Sequence, residues 1–134
     1  MTTIREQDFI QSIADAFQFI SYYHPIDYIK ALGEAYEREK SAAAKDAMAQ
    51  ILVNSRMSAE GRRPICQDTG IAVVFLKIGM NVRWETQKGV AEMVNEGVRR
   101  AYTHPDNVLR ASVLADPAGT RRNTRDNTPA VIHT

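Results

Sequence analysis

Three consecutive residues in the middle of the chain, Cys66-Gln67-Asp68, set a soft thiolate donor, a neutral amide and a carboxylate side by side. A thiolate binds soft metals and a positioned carboxylic acid moves protons. The triplet sits within Pro64-Ile65-Cys66-Gln67-Asp68-Thr69-Gly70, directly before an apolar run. Loops carried by a rigid element are where reactive groups are best placed. The same stretch also has plainer readings. Asp68 and Gly70 suit a turn, and a lone cysteine often packs as a small buried hydrophobe. A redox-sensing thiolate at Cys66, favoured by Arg62 and Arg63, is a further alternative.

Charge is the second chemical signal. From Arg99 onward the basic residues are Arg99, Arg100, Arg110, Arg121, Arg122 and Arg125, against Asp106, Asp116 and Asp126. A run of this kind is an ordinary solvated face. It also offers guanidinium forks that match a carboxylate bidentately. The histidines, His24, His104 and His133, lie far apart without helical spacing and read as cap, turn or surface residues. No Ser-His-Asp arrangement can be assembled from them.

The elements that must position these groups change character at Gly61. Before it the chain reads as helices. Thr3-Ile4-Arg5-Glu6 has the form of a capping box, followed by an apolar stripe at Phe9, Ile13, Phe17 and Ile20. A second helix opens at Pro25, with Ile26, Ile29, Leu32 and Tyr36 as its stripe. A third runs from a Ser41 cap through Ala44, Met48, Ile51, Leu52 and towards Met57, ending at Gly61. All three stripes are expected in the core. After Gly61, residues 71–78 form a continuous β-branched run that predicts a buried strand, and Val82-Arg83-Trp84 a short return strand. Thr86 can cap a fourth helix whose inward face is Val90, Val94, Gly97, Val98 and Ala101. Residues 107–127 are irregular, and a strand begins at Ala130. The expected class is α+β, with a mainly helical N-terminal half (1–60), then short strands and one further helix (61–134). The last strand reads as cut short, so the chain is expected to be a fragment of a larger protein.

Composition narrows the function class. The 134 residues are 44% hydrophobic and 25% charged, a globular composition rather than a disordered one. A net charge of +1 does not suit a polycationic nucleic-acid binder. The longest apolar run, 71–76, is far short of the ~20 residues a membrane helix needs, and the N-terminus lacks an apolar signal core. A single cysteine forbids an intrachain disulfide and fits a reducing, cytoplasmic setting.

Three segments together carry a family resemblance. Pro64-Ile65-Cys66-Gln67-Asp68-Thr69-Gly70 with its following strand resembles the N-terminal region of the class I fumarases, the iron–sulfur fumarate hydratases, whose relatives include the tartrate dehydratases. Asn107-Val108-Leu109-Arg110 resembles the Asn-Leu-Arg segment after that family's next helix. Asn123-Thr124-x-x-Asn127-x-Pro129-Ala130 is similar to its Asn-Thr-x-x-Asn-x-Pro-Ala signature. The three occur in the family's order.

The resemblance implies a hydro-lyase that adds water reversibly to fumarate, giving (S)-malate. It implies a [4Fe–4S] cluster on three cysteines, with an open iron as Lewis acid. Cys66 matches the first cluster ligand. Gln67 and Asp68 match substrate-contacting positions, with Asp68 the proton donor to the departing hydroxyl. Arg110 matches the arginine that clamps a substrate carboxylate. With one cysteine, residues 1–134 alone are expected to be inactive and to hold no complete cluster. The rest of the parent chain or a paired subunit would complete the site, and the complete protein is expected as a homodimer. The alternative from another class is a non-catalytic α+β interaction module.

Overall fold

The computed structural model describes residues 1–66 and 70–134. It is a mixed α+β structure. In chain order the elements are β1 (Thr2–Arg5), α1 (Glu6–Tyr22), α2 (Ile26–Arg38), α3 (Ala42–Gly61), β2 (Val73–Phe75), β3 (Val82–Glu85), α4 (Val90–Tyr102) and β4 (Val131–His133). They divide into two compact units: Met1–Gln18 with Asp68–Thr134, and Phe19–Gln67.

The first unit holds the hydrophobic core. The strands pair in two parallel ribbons, β1 with β3 in the register Thr2↔Val82, and β2 with β4 in the register Val73↔Val131. Ile10, Ile13 and Ala14 of α1 are buried, as are Met93, Val94, Val98 and Ala101 of α4, with Val74 of β2 and Leu109. The expected inward face of α4 is therefore observed, except that Val90 is only partly buried. Phe9 meets Trp84 edge to face with ring centroids 5.0 Å apart, packing α1 beside β3.

Gly97 sits where α4 approaches α1 closely. A Cβ there would lie 2.6 Å from Ile13 Cβ and 2.8 Å from the Ile10 carbonyl oxygen. Gly97→Ala gains about 1 kcal/mol of helix propensity but must push a backbone aside. The clash wins, and the variant should be less stable by about 1–3 kcal/mol, read as a lowered midpoint in thermal or urea unfolding. Gly33 in α2 meets nothing within 4 Å of its added Cβ. Gly33→Ala should therefore stabilise by about 0.5–1 kcal/mol in the same assay.

In the second unit the Ser41 hydroxyl accepts the Ala44 N–H at 3.5 Å and caps α3 as expected. Pro25 occupies the N-cap of α2. The helix α3 ends on Arg62 in the left-handed region (φ 48°), one residue beyond Gly61.

Several expectations are corrected. Thr3 caps no helix: it lies in β1, and Glu6 instead accepts from the Thr86 hydroxyl and, at 2.7 Å, from Lys88 Nζ. Thr-x-x-Glu suits a cap, but pairing with a distant strand decided the conformation. For the same reason Val82-Arg83-Trp84 is not a return strand on β2; it pairs parallel with β1. Thr86 does not cap α4, whose N-cap is Gly89, with the Gly89 N–H donating to Glu92 at 2.8 Å. The 71–78 run shortens to Val73–Phe75 and buries one face only, leaving Phe75 77% exposed. The α2 and α3 stripes are not core: α2 has no buried residue, Ile26 is 71% exposed, and α3 buries only Ser55 and Ser58. Periodicity marks a face as apolar without saying what covers it. Ile20 of α1 is likewise exposed.

Candidate functional site

Cys66 stands just past α3 in the second unit, exposed and free of any disulfide. Its backbone is held independently of its sulfur. The Cys66 N–H donates to Asn54 Oδ1 at 3.1 Å, and the preceding Ile65 N–H donates to the Ser21 carbonyl at 2.8 Å. Ile65 itself is buried. The thiol is thus presented outward from a fastened segment, which removes the reading of Cys66 as a buried hydrophobe. Gln67 and Asp68 lie outside the described residues.

Arg110 belongs to the first unit, on the segment that leaves α4. Two buried amides set the start of that segment. Gln18 Nε2 donates to the Ala101 carbonyl at 2.6 Å and to the Asn107 carbonyl at 3.0 Å, and Asn107 Nδ2 donates back to Gln18 Oε1 at 2.8 Å. Leu109 then buries its side chain, and its N–H donates to the Tyr102 carbonyl at 3.2 Å. Arg110 follows, exposed.

The far side of the segment is fastened by the Asn-Thr-x-x-Asn stretch. Asn123 Nδ2 donates to the Ala111 carbonyl at 2.9 Å. Asn127, wholly buried and left-handed at φ 57°, accepts the N–H groups of Ser112 at 2.8 Å and Val113 at 3.1 Å on one oxygen. Its Nδ2 donates to the Gly70 carbonyl at 3.4 Å, which also accepts the Ser112 hydroxyl at 2.6 Å. Gly70 is itself at φ +61°. Asparagine is among the few non-glycine residues that tolerate this region, a signal visible in the sequence once the partners are known. The Asn-Thr-x-x-Asn motif contains Asn127 without revealing what it holds, and Ser112 lies outside every motif of the sequence.

The late arginines fall into two kinds. Arg99 donates to Asp126 at 3.0 Å and to Glu96 at 2.6 Å, and Arg100 donates to Glu96 at 3.1 Å. Burial pushes the Glu96 carboxyl up, but the two arginines hold it below its ordinary range. Asp126 behaves alike: burial raises it, while the Thr128 N–H and hydroxyl and Arg99 bring it lower on balance. Arg110, Arg121, Arg122 and Arg125 have no carboxylate partner among the described residues. Histidines follow the sequence reading: His24 Nδ1 lies 3.0 Å from Ser55 Oγ, His104 Nδ1 accepts the Asp106 N–H, and His133 stacks on Phe75.

A metal site does not emerge from these donors alone. Among the described residues no three His, Cys, Asp or Glu side chains are grouped to hold a metal ion. With one thiolate in the whole sequence, the chain's own residues do not fit a cubane cluster; they can supply one ligand to it.

The sequence is similar to those of known proteins. The sequence model of the family Fumarate hydratase (Fumerase) matches residues 10–134. A putative L(+)-tartrate dehydratase subunit alpha of Methanocaldococcus jannaschii is 37% identical over 89 residues, covering 66% of this chain and 31% of that protein. The anaerobic class I fumarate hydratase of Escherichia coli is 37% identical over 99 residues, covering 74% of this chain and 17% of that enzyme. The chain thus spans less than a third of the length of either relative. With nearly its whole length matched, the chain belongs to the fumarate hydratase (Fumerase) family.

Proposed function

We propose that this chain is the part of an iron–sulfur hydro-lyase that presents Cys66, Gln67, Asp68 and Arg110 to a small dicarboxylate, and that the enzyme interconverts fumarate and (S)-malate. The observation that carries this reading is the sorting of the arginines. Arg99 and Arg100 are tied into the fold by Glu96 and Asp126, whereas Arg110 is exposed, has no carboxylate partner among the described residues, and stands between two residues with fastened backbones, Leu109 and Ala111. A guanidinium held this way suits a substrate carboxylate.

In the dehydration direction malate loses its C2 hydroxyl and a C3 proton. Arg110 binds one carboxylate and fixes the substrate's orientation. Gln67 contacts the substrate. Asp68, protonated, gives its proton to the departing hydroxyl, which leaves as water. The C3 proton passes to a base outside these residues. Cys66 would supply one thiolate to a cluster whose other ligands would come from the parent chain or a paired subunit, and whose open iron would act as a Lewis acid.

The relative named as a tartrate dehydratase subunit favours a second reading, L(+)-tartrate as the substrate. Tartrate carries one more hydroxyl, and kcat/KM for the two acids with the complete enzyme decides between them.

The test of the shared reading is Arg110→Lys in the complete enzyme. Lysine keeps the charge and loses the fork. Losing a charge-assisted hydrogen bond costs about 1.5–3 kcal/mol, so kcat/KM should fall roughly tenfold to hundredfold with iron content unchanged. Wild-type kinetics in that variant would remove Arg110 from the site.

A further inference from the structure

We propose that Ser112 and Asn127 are positioning residues that set the register between Gly70 and the segment carrying Arg110. The inference rests on the reading of Arg110 given above. The Gly70 carbonyl is the meeting point. It accepts from the Ser112 hydroxyl at 2.6 Å and from Asn127 Nδ2 at 3.4 Å. The other end of the Asn127 amide accepts two successive backbone N–H groups, Ser112 at 2.8 Å and Val113 at 3.1 Å. One buried side chain therefore joins both segments, and Ser112, two residues after Arg110, repeats the link.

The geometry is directional. An amide at this position uses its donor on one segment and its acceptor on the other, which neither a carboxylate nor a hydrocarbon of the same size can do. A left-handed backbone at φ 57° further restricts the position to asparagine, aspartate or glycine without strain. The Ser112 link lies outside the hydrophobic packing: Ser112 is exposed and its hydroxyl donates to the Gly70 carbonyl. What the links fix is where Arg110 stands relative to Gly70, two residues after Asp68 in sequence. A misplacement of an ångström at a binding group lowers rate without unfolding the protein.

The experiment is a double-mutant cycle in the complete enzyme, read as kcat/KM for malate alongside iron content and thermal midpoint. Ser112→Ala should lower kcat/KM about fivefold to tenfold, the worth of one hydrogen bond, at unchanged iron content and midpoint. Ser112→Thr, which keeps the hydroxyl, should restore most of the rate. Once Arg110→Lys has removed the fork, Ser112→Ala should cost less than about twofold, because the residue acts through Arg110. Asn127→Asp keeps the acceptor for Ser112 and Val113 but turns an oxygen towards Gly70; as a buried carboxylate it should also lower the thermal midpoint, and its loss of kcat/KM should show the same coupling to Arg110→Lys. Wild-type kinetics in Ser112→Ala overturns the proposal. So does a full, independent loss in the Arg110→Lys background, which would make Ser112 a structural residue while leaving Arg110 in the site. Arg110→Lys with wild-type kinetics would overturn the reading of the site and this inference with it.

Discussion

Cys66→Ser in the complete enzyme is expected to lose its iron and essentially all activity while keeping its fold. The side chain is exposed, so the change removes no packing. The backbone bonds that fasten the segment, Cys66 N–H to Asn54 and Ile65 N–H to Ser21, do not involve the sulfur. Stability should therefore stay within about 0.5 kcal/mol of wild type, the usual range for a surface substitution. What changes is the donor. Serine oxygen is harder than sulfur and is not ionised near neutral pH, so it is a poor substitute for a thiolate towards iron in a sulfide cluster. Anaerobic reconstitution with iron and sulfide, followed by iron analysis and the broad brown absorbance of a cubane, reads the result directly. Retention of both iron and rate would show that Cys66 is not a ligand and return it to the redox or interaction readings.

How far such residues can be placed from sequence depends on where their partners lie. The α4 face was legible because Val94, Val98 and Ala101 recur at helical spacing and their covering residues, Ile10, Ile13 and Ala14, belong to this chain. The α2 stripe has the same spacing, yet nothing among the described residues buries it, so periodicity alone misplaced Ile26. The strand errors are of another kind. Thr3-Ile4-Arg5-Glu6 fits a local capping box, and only the parallel partner at Val82–Glu85 turns it into β1. Parallel pairing between distant segments leaves no local signature in either. At the site, the Asn107–Arg110 segment was legible as a motif. Its fastening was not, because an asparagine that clamps two backbone segments reads in sequence like any loop asparagine until Ser112, Val113 and Gly70 are seen around Asn127. Gln67 and Asp68 lie outside the described residues, so their roles rest on the resemblance and on chemistry.

Asp68 carries the most informative chemistry. Asp68→Asn keeps the size and most of the hydrogen-bonding capacity of the side chain, but an amide has no acidic proton to give. If Asp68 protonates the departing hydroxyl, turnover should fall by about 10²–10⁴-fold, the usual worth of a general acid, with iron content intact. The pH dependence supplies a check that a binding role would not move. In the dehydration direction the acid must be protonated, so the wild-type rate should decline as pH rises through its pKa in the enzyme–substrate complex. The asparagine variant has no such group, and the alkaline decline due to it should disappear from kcat. The hydration direction demands the reverse, a carboxylate that accepts a proton from water, so the corresponding acidic decline should also vanish. A variant that keeps its turnover and its pH profile and shows only a raised KM would make Asp68 a binding residue beside Gln67. The proton would then have to come from a group outside the Cys66-Gln67-Asp68 triplet, since Gln67 has no acid to offer and Cys66, as a cluster ligand, would be a thiolate.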